Sequence, residues 1–512
     1  MQVLIAGENL SDYLAKCHEA FRTGLRALFG ARVFGKGYPG YDPHLRTYAQ
    51  IVRHVFPDGE EPDLVLTDWD VAPGDTHVTL PYEGINDAPG LKALVFGDYW
   101  QVTGSFREGF SAFAAENIDI LLSYFPQALR EYVGDPIASR LFTMFPSIDP
   151  AIFHDYHQAK QYDVGFLAAG SLAPDRFYPE RFRIHEKLHA MSDIRYLSAP
   201  HPGWQRHREH PLVGAGFSRA INSCRLFVTT GSARRHLQPK YVEALSSRTV
   251  LLADEPEGAR EFGLRDGVNY VRCSERNIVE KVRYYMAHPE LCEQIADAGY
   301  RLALARHTCF NRAAQMLDIV HAVRRQRASG VRLSAGDGPR LHLGCGQDHW
   351  DGYVNVDRDP GAKADLVMDM VEAPRLFPTE SVREVAMIHS LNYLPIWGAQ
   401  QLFRDIVRIL RPGGTLVIET VDVDKAMAKV QQHEGGDLSE YMEGVRAFHA
   451  FGVDTIERRE DYAPNKMSWS TWHLTKELHA AGFAQVKVME PRVHVHPDGV
   501  PSWRDMRVEA TK

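Results

Sequence analysis

The sequence predicts an α/β protein with three consecutive sheets of parallel strands. Short apolar strands alternate with helical stretches along almost the whole chain, which is typical of layered α/β folds. The length of 512 residues exceeds what one compact core holds and indicates about three domains. The apolar fraction of 44% and the charged fraction of 24% are ordinary for a globular protein.

Two sets of strands are predicted in the first half of the chain. The first set is Val3–Ala6, Leu64–Thr67, Ala93–Phe96 and Ile120–Leu122. The second set is Asp163–Leu167, Ile194–Leu197, Leu226–Thr229 and Thr249–Leu252. Two prolines in Phe145–Pro150 interrupt regular structure between the sets, so a domain boundary is expected there.

A third set of strands begins at Leu341–Leu343, after a short segment rich in glycine and serine. That segment, residues 328–339, follows a basic helix and is typical of an interdomain linker. We therefore predict domains at residues 1–148, 149–326 and 338–495.

The net charge and the pattern of cysteines limit the classes of protein to which this chain can belong. A net charge of −8 argues against a nucleic-acid binder, which needs a basic surface to neutralise phosphates. The short basic clusters Arg234–His236 and Arg324–Arg327 are interpreted as solvated helix ends or local phosphate contacts, and they leave open peripheral contact with a membrane. The six cysteines show no CxxC pair, which favours a reduced compartment.

The sequence lacks the signals of export or membrane insertion. No apolar run approaches the roughly 20 residues that span a bilayer. The segment Met1–Gly7 has no basic region and no cleavage site, so it is interpreted as a first strand rather than a signal peptide. A cytoplasmic location is therefore expected.

The C-terminal third carries an ordered series of motifs around a glycine turn. Leu341–Gln347 joins a strand to a turn with glycines at 344 and 346, where a ligand approaches the backbone closely. Asp357 ends the next strand, where a carboxylate can accept hydrogen bonds from ribose hydroxyls. Asp369 follows a third short strand, and the turn Arg411–Gly414 precedes the strand Thr415–Glu419.

This series resembles the class I methyltransferases that use S-adenosyl-L-methionine. The resemblance covers about 150 residues and implies a seven-stranded sheet with the cofactor across the strand ends. It implies that Gly344, Cys345 and Gly346 line S-adenosyl-L-methionine, that Asp357 holds the ribose, and that Asp369 lies near the adenine. Two positions depart from the family: Asp348 replaces a third glycine, and Leu391–Tyr393 replaces the usual Leu-Glu-His.

Transfer of a methyl group to a hydroxyl also needs a base for the proton. The candidates are His389 after the fourth strand, Asp422 after the fifth, and His473. Each of them could equally be a structural residue. No set of Asp and His has convincing divalent-metal spacing, and no metal is expected.

A second series of motifs lies upstream, beginning with the helix Pro239–Leu245. A strand, a helix-opening turn at Gly258 and Ala259, and a second short strand follow that helix. A glutamate on the helix can bind ribose hydroxyls, and the turn offers free N–H groups to a diphosphate. On the residues alone, Glu243 could instead be a solvated helix residue.

This pattern resembles the GT-B glycosyltransferases, and within them the spore-coat CgeB-like group. The matching stretches include Tyr162–Leu167, Tyr178–Arg181, Val282–Glu290 and His307–Arg312. The resemblance implies two Rossmann-like domains and a nucleotide-sugar donor.

The resemblance implies a role for each donor-site residue. Glu243 would hold the ribose, Lys240 and Arg181 would face the diphosphate, and the backbone near Gly258 and Ala259 would complete the phosphate site. Arg235 stands eight residues before Glu243, where many retaining members have a second glutamate, so the stereochemistry stays open.

The acceptor is expected on the N-terminal domain in this fold. Asp98, after a predicted strand, is the first candidate for a base, and Glu8 is the second; Asp98 could also be a helix cap or a turn residue.

Together these motifs predict a bifunctional enzyme that transfers a sugar from a nucleotide donor and a methyl group to a glycan or glycoconjugate. Two alternatives stay open. One is a methyltransferase whose GT-B-like half only binds glycan. The other is a modifier of nucleic acid or protein, which the acidic balance disfavours.

Overall fold

The computed structural model describes residues 1–13, 16–68, 80–96, 104–124, 140–175, 177–202, 210–233, 235–329, 338–449, 466–493 and 502–512. The chain divides into two compact units, Met1–Leu317 and Asp318–Lys512. The first unit contains two sheets and the second unit contains one. The α/β architecture with parallel sheets is therefore confirmed, although the third sheet differs in one respect described below.

The first sheet has six parallel strands in the order β2-β1-β3-β4-β5-β6. These strands are β1 Val3–Ala6, β2 Arg32–Phe34, β3 Leu64–Thr67, β4 Leu91–Phe96, β5 Ile120–Ser123 and β6 Leu141–Thr143. The helices α1 Lys16–Phe29, α2 Tyr48–Val55 and α3 Gly104–Asn117 and the 3-10 helix Ile85–Asp87 accompany them. The sequence interpretation did not include β2 and β6, which have three residues each.

The second sheet has five parallel strands in the order β11-β10-β9-β7-β8. They are β7 Tyr162–Phe166, β8 Tyr196–Ser198, β9 Cys224–Val228, β10 Val250–Ala253 and β11 Val271–Arg272. Its helices are α4 Arg181–His189, α5 Ala215–Asn222, α6 Pro239–Ser246, α7 Ala259–Phe262, α8 Ile278–Ala287 and α9 Pro289–Arg306. Apolar side chains bury both faces of this sheet, as its almost continuously apolar strands require.

The segment His307–Arg312 contacts both a helix of the second sheet, at Phe262, and the segment that follows the first sheet, at Phe145. The ring of His307 stacks on Phe262 with centroids 3.7 Å apart, and its Nε2 lies 2.8 Å from the Phe262 carbonyl oxygen. Because a carbonyl only accepts, Nε2 carries the proton and Nδ1 accepts from Arg312 at 2.6 Å. Arg312 also donates to the carbonyl of Phe145 at 3.0 Å. This segment therefore has a structural role, and α10, Cys309–Ser329, begins within it.

The third sheet has seven strands in the order β14-β13-β12-β15-β16-β18-β17. They are β12 Arg340–Leu343, β13 Val354–Asp357, β14 Leu366–Val367, β15 Val382–Ile388, β16 Leu410–Val421, β17 Gln485–Met489 and β18 Asp505–Thr511. The helices α11 Ile396–Ile409, α12 Val423–Gln432, α13 Leu438–His449 and α14 Thr471–Ala481 and the 3-10 helices Ala373–Leu376 and Leu391–Tyr393 accompany these strands.

The prediction of a wholly parallel third sheet is wrong at one strand. β18 lies between β16 and β17 and runs antiparallel to both. The apolar pattern of an isolated strand does not encode its direction, so the sequence could not show this. The predicted turn Arg411–Gly414 likewise lies inside the long strand β16, next to a register irregularity in its pairing with β15.

None of the helices that the structure describes is both long and apolar enough to cross a membrane. All six cysteines are free thiols.

Candidate active sites

The first unit brings the carboxyl ends of its two sheets close together. Helix α1 begins at the carboxyl end of the first sheet, and α5 begins at the carboxyl end of the second sheet. Lys16, the first residue of α1, has its Cε 3.5 Å from where a Cβ on Gly214, the residue before α5, would lie. In parallel α/β sheets, ligands bind outside the carboxyl ends of the strands. The space between these two edges is therefore the candidate donor and acceptor site.

Lys240 and Glu243 lie on the first turns of α6, which starts at Pro239. Glu243 is 6% exposed, and burial raises the pKa of its carboxyl to about 6 although the charge of Lys240 opposes the shift. Burial also lowers the pKa of Lys240, and its Nζ lies 5.1 Å from the centre of the Phe217 ring. Within the described part of the chain, neither charged group has a hydrogen bond or an ion pair within 4.0 Å. Among the described residues, a buried carboxyl and a half-buried amine thus lie together without polar protein partners.

A carboxylate that the sequence interpretation missed fixes the loop after β9. Asp254 follows β10, and its Oδ1 accepts hydrogen bonds from the Tyr241 hydroxyl at 2.5 Å and from the Gly231 N–H at 2.7 Å. These bonds join the ends of two neighbouring strands to helix α6. Asp254 therefore orients the wall of the site that carries Lys240 and Glu243.

Arg181 is buried and is bound by the protein itself. Its guanidinium donates to the carbonyl of Ala169 at 2.9 Å, and to the hydroxyl and the carbonyl of Thr230 at 3.1 and 2.6 Å. It also lies 3.6 Å from the centre of the Tyr178 ring. These contacts join the loops that follow β7 and β9, so Arg181 shapes the site. A direct contact with a diphosphate stays a prediction.

Gly258 and Ala259 lie where α7 begins, and they pack toward the linker between the sheets. A Cβ on Gly258 would meet the Phe145 ring at 3.0 Å. The N–H of Ala259 donates to the carbonyl of Pro256 at 3.2 Å. The predicted phosphate contact at these two residues stays a prediction.

The predicted acceptor bases have different outcomes. Asp98 lies outside the described residues. Glu8 follows β1, where its N–H donates to Asp68 Oδ2 at 3.1 Å and its carbonyl accepts from Arg22 at 2.5 Å. Arg22 also pairs with Asp68 Oδ1. The sequence interpretation missed Arg22 and Asp68, which lie 46 residues apart.

In the second unit, the glycine turn lies at the carboxyl end of β12, beside the end of β15. Gly344 has φ +73°, and a Cβ there would lie 2.3 Å from Cβ of Ser390, so only glycine fits. A Cβ on Gly346 would meet nothing within 4 Å, so the backbone at this position is open to a ligand. Cys345 is buried between them, and burial raises the pKa of its thiol to about 11.

Asp357 ends β13 with its carboxylate held in place. Oδ2 accepts from the N–H of Gly346 at 2.8 Å, and Oδ1 accepts from the N–H of Asp359 at 2.9 Å. The side chain is half-buried, so lone pairs on both oxygens can face a ligand. Asp369 is exposed and accepts from the N–H of Val371 at 3.0 Å, which shapes the turn after β14.

His389 is held by a buried carboxylate. It follows β15 with φ +49°, and its Nε2 lies 3.1 Å from Oδ2 of Asp505, which is fully buried. A carboxylate partner selects the tautomer of a histidine and fixes its ring. Asp505 begins β18, 116 residues away, so the sequence offered no signal for this pair.

Asp422 and His473 both make structural contacts, and their roles as bases stay predictions. Asp422 caps α12 by accepting from the N–H of Asp424 at 3.1 Å, and its other oxygen accepts from the Thr471 hydroxyl at 3.1 Å. His473 lies on the first turn of α14 and stacks on Trp469 with centroids 5.0 Å apart. His389 is therefore the predicted base whose surroundings best suit proton transfer. Among the described residues, no group of three or more His, Cys, Asp or Glu could hold a metal ion.

Comparison with protein families gives one match. Residues 171–318 match the family described as "Glycosyl transferase-like", so this segment, which lies almost entirely in the first unit, is glycosyltransferase-like. A sequence comparison with curated proteins gives no match.

Solved structures similar to the chain fall into two groups. HepE of Anabaena in complex with UDP and glucose is 11% identical, with 62% of this chain and 98% of that chain covered and a TM-score of 0.42. A glycosyltransferase from Rickettsia africae is 9% identical, with 63% and 98% covered and a TM-score of 0.43. A SAM-dependent methyltransferase from Archaeoglobus fulgidus is 13% identical, with 39% and 94% covered and a TM-score of 0.24. All three TM-scores lie below 0.5, and the family match is the comparison that bears on function.

Proposed function

We propose that the chain is a bifunctional transferase. The first unit transfers a sugar from a nucleotide-sugar donor, as a member of the CgeB-like group of GT-B glycosyltransferases. The second unit is a class I methyltransferase that uses S-adenosyl-L-methionine to methylate a glycan or glycoconjugate.

The pair Lys240 and Glu243 carries the proposal for sugar transfer. Burying a charged group without partners is costly, and a ligand that supplies those partners recovers the cost. Ribose hydroxyls can donate to the Glu243 carboxylate, and a diphosphate can accept from the Lys240 ammonium. A nucleoside diphosphate is one ligand that carries both groups, and the family match covers both residues.

Three observations support cofactor binding by the second unit. Only glycine fits at position 344, the backbone at Gly346 is open, and Asp357 presents a fixed carboxylate. When bound, S-adenosyl-L-methionine supplies an activated methyl group. Gly344, Cys345 and Gly346 would line it, Asp357 would hold its ribose hydroxyls, and Asp369 would lie near the adenine.

His389 would take the proton of an acceptor hydroxyl in this proposal. Asp505 holds the ring and stabilises the imidazolium that forms when the proton arrives. Positioning of the acceptor against the methyl group supplies much of the remaining rate.

One observation favours the alternative, a methyltransferase whose first unit binds glycan without transferring sugar. Arg235 stands where many retaining GT-B enzymes have a second glutamate, and its guanidinium donates to the carbonyl of Glu255 at 2.6 and 3.1 Å. A retaining enzyme with this sequence would therefore lack the second glutamate, whereas an inverting enzyme would not need that glutamate.

A thermal-shift screen separates the two proposals, because a ligand that binds only the folded state raises the unfolding temperature. The whole protein is tested against S-adenosylhomocysteine, UDP, GDP, CMP and TDP. Shifts with S-adenosylhomocysteine and one nucleotide are expected. A shift with S-adenosylhomocysteine alone favours the alternative, and no shift with S-adenosylhomocysteine contradicts the methyltransferase proposal.

A further inference from the structure

The first unit carries a second polar site at the carboxyl end of its first sheet. Asp68 directly follows β3, and its side chain is 35% exposed, whereas the side chain of its partner Arg22 is 5% exposed. The Glu8 N–H donates to one carboxylate oxygen at 3.1 Å, and the guanidinium binds the other. The protein thus fixes this carboxylate from one side and leaves it open to solvent on another.

Aromatic rings extend from this carboxylate along the same edge. The Tyr48 hydroxyl lies 2.5 Å from the Thr67 hydroxyl, one residue before the carboxylate. The Tyr48 ring contacts Tyr82 at 5.7 Å between centroids, and Phe34 contacts Tyr82 and Tyr41 at 5.7 and 5.6 Å. Tyr82 is half-buried and Tyr41 is 37% exposed, so both rings reach solvent.

A sugar ring is the ligand that these groups suit. Its hydroxyls donate to a carboxylate, in a charge-assisted hydrogen bond, and its C–H faces pack on aromatic rings. A phosphate matches less well, because it would meet the negative carboxylate of Asp68. These groups therefore suit a sugar ring of the acceptor better than they suit the diphosphate of the donor.

The position of the site agrees with this choice. The edge that carries Asp68 and the edge that carries Lys240 belong to one compact unit, and the contact between Lys16 and Gly214 brings the two edges close together. A donor held by Lys240 and Glu243 would then lie opposite a hydroxyl held by Asp68.

We propose that Asp68, with Tyr41 and Tyr82, binds a sugar ring of the acceptor and orients one of its hydroxyls. This inference rests on the proposed sugar transfer by the first unit. Asp68 acts here as a binding residue, and Arg22 acts as the positioning residue that holds it.

Saturation-transfer NMR on the full chain tests this inference. The probes are methyl α-glucoside, methyl β-galactoside, methyl α-mannoside and methyl N-acetyl-β-glucosaminide, each with the nucleotide that raises the unfolding temperature. We expect at least one glycoside to bind, and Asp68→Asn to weaken it by at least about tenfold through loss of a charged hydrogen bond. Asp87→Asn, an exposed carboxylate of the same sheet region, is the matched control and should bind normally.

Tyr41→Ala provides a second variant that leaves the pair of Arg22 and Asp68 intact. It should weaken glycoside binding and lower the unfolding temperature only slightly, through the lost contact with Phe34, and it decides the question if Asp68→Asn fails to fold. Equal binding in both folded variants, or no glycoside binding by the wild type while a nucleotide still binds, overturns the inference. No binding of any nucleotide would instead overturn the proposed sugar transfer, and the inference would fall with it.

Discussion

Each unit contains a buried glutamate, and the two glutamates have opposite surroundings. Glu243, in the first unit, is 6% exposed, and its carboxylate has no hydrogen bond or ion pair in the described part of the chain. Glu419, in the second unit, is fully buried in β16 and accepts from Arg507 at 2.7 Å, from the N–H of Arg492 at 2.8 Å and from the N–H of Val493 at 2.9 Å.

The difference shows that burial of a charge does not by itself indicate function. Burial raises the pKa of Glu243 to about 6, and the charge of Lys240 only partly opposes it. Burial would also raise the pKa of Glu419, but the bonds from Arg507 and the two N–H groups outweigh it and hold the pKa below its usual range. The partners of Glu419 are in the chain, so Glu419 is structural. No hydrogen-bond or ion-pair partner of Glu243 lies among the described residues, so we look for one in a ligand.

The largest expected effect is a loss of folding stability when the charge of Glu419 is removed, compared with removal of the charge of Glu243. Glu419→Gln removes one of two carboxylates that bind Arg507, the other being Glu509, and breaking a buried pair costs up to about 3–5 kcal/mol. Glu243→Gln removes a buried charge that has no partner among the described residues, so it should be neutral or stabilising. Urea unfolding of both variants measures this, and a comparable loss of stability in the two would show that Glu243 has a structural partner.

The surroundings of Asp357 are intermediate between those of the two glutamates. Backbone N–H groups bind both of its carboxylate oxygens, as in Glu419, but its side chain is only half-buried. Asp357→Ala should weaken S-adenosylhomocysteine by on the order of a hundredfold, since hydrogen bonds from two ribose hydroxyls to a charged group are lost. Titration calorimetry measures this. Asp359→Ala, an exposed neighbouring carboxylate, is the control and should bind normally. Equal loss of nucleotide binding in Asp357→Ala would contradict separate sites in the two units.

Glu243→Ala tests the same reasoning in the first unit. If ribose hydroxyls are the missing partners, the nucleotide that binds best in the thermal-shift screen should bind about ten- to a hundredfold more weakly. S-adenosylhomocysteine should bind unchanged. Glu186→Ala, on α4 of the same sheet, is the control with a surface carboxylate. Unchanged nucleotide affinity in Glu243→Ala would remove Glu243 from the donor site.

The contrast between the two units also explains what the sequence could predict. The turn Gly344–Gly346 and Asp357 lie within 14 residues of each other, and their strand-turn-strand context is local. The same holds for Lys240 and Glu243 on one helix. Local spacing of this kind predicts position once the element is recognised, because the geometry of a helix or of a strand and its turn fixes the relation of nearby residues.

The pairs that hold these groups in place could not be predicted. Asp505 meets His389 across 116 residues, and Asp68 meets Arg22 across 46. Neither pair leaves a pattern in the sequence, because the contact exists only once the strands are aligned in their sheets. The candidate base Asp422 shows the limit of local patterns, because a carboxylate after a strand can cap a helix as readily as it can take a proton.

The smallest expected effect is on pH dependence, and the two glutamates should give opposite signs. The folded pKa of Glu243, about 6, exceeds the ordinary 4.5, so the folded state binds more protons than the unfolded state between these values. Stability should therefore fall as the pH rises from 4.5 to 6, by up to about 2 kcal/mol for a shift of this size. The folded pKa of Glu419 is lowered, so its contribution is present above pH 4.5 and is lost as the pH falls below that value.

Urea unfolding of the wild type and Glu243→Gln at pH 4.5 and pH 7 isolates the first of these terms. The wild type should lose stability relative to the variant between the two pH values, because only the wild type must ionise a buried carboxyl without a partner. The nucleotide that binds best should reduce this difference by supplying hydroxyl donors to the carboxylate. A difference that is independent of pH would mean that Glu243 is solvated in the folded protein, and the contrast with Glu419 would then be one of exposure rather than of missing partners.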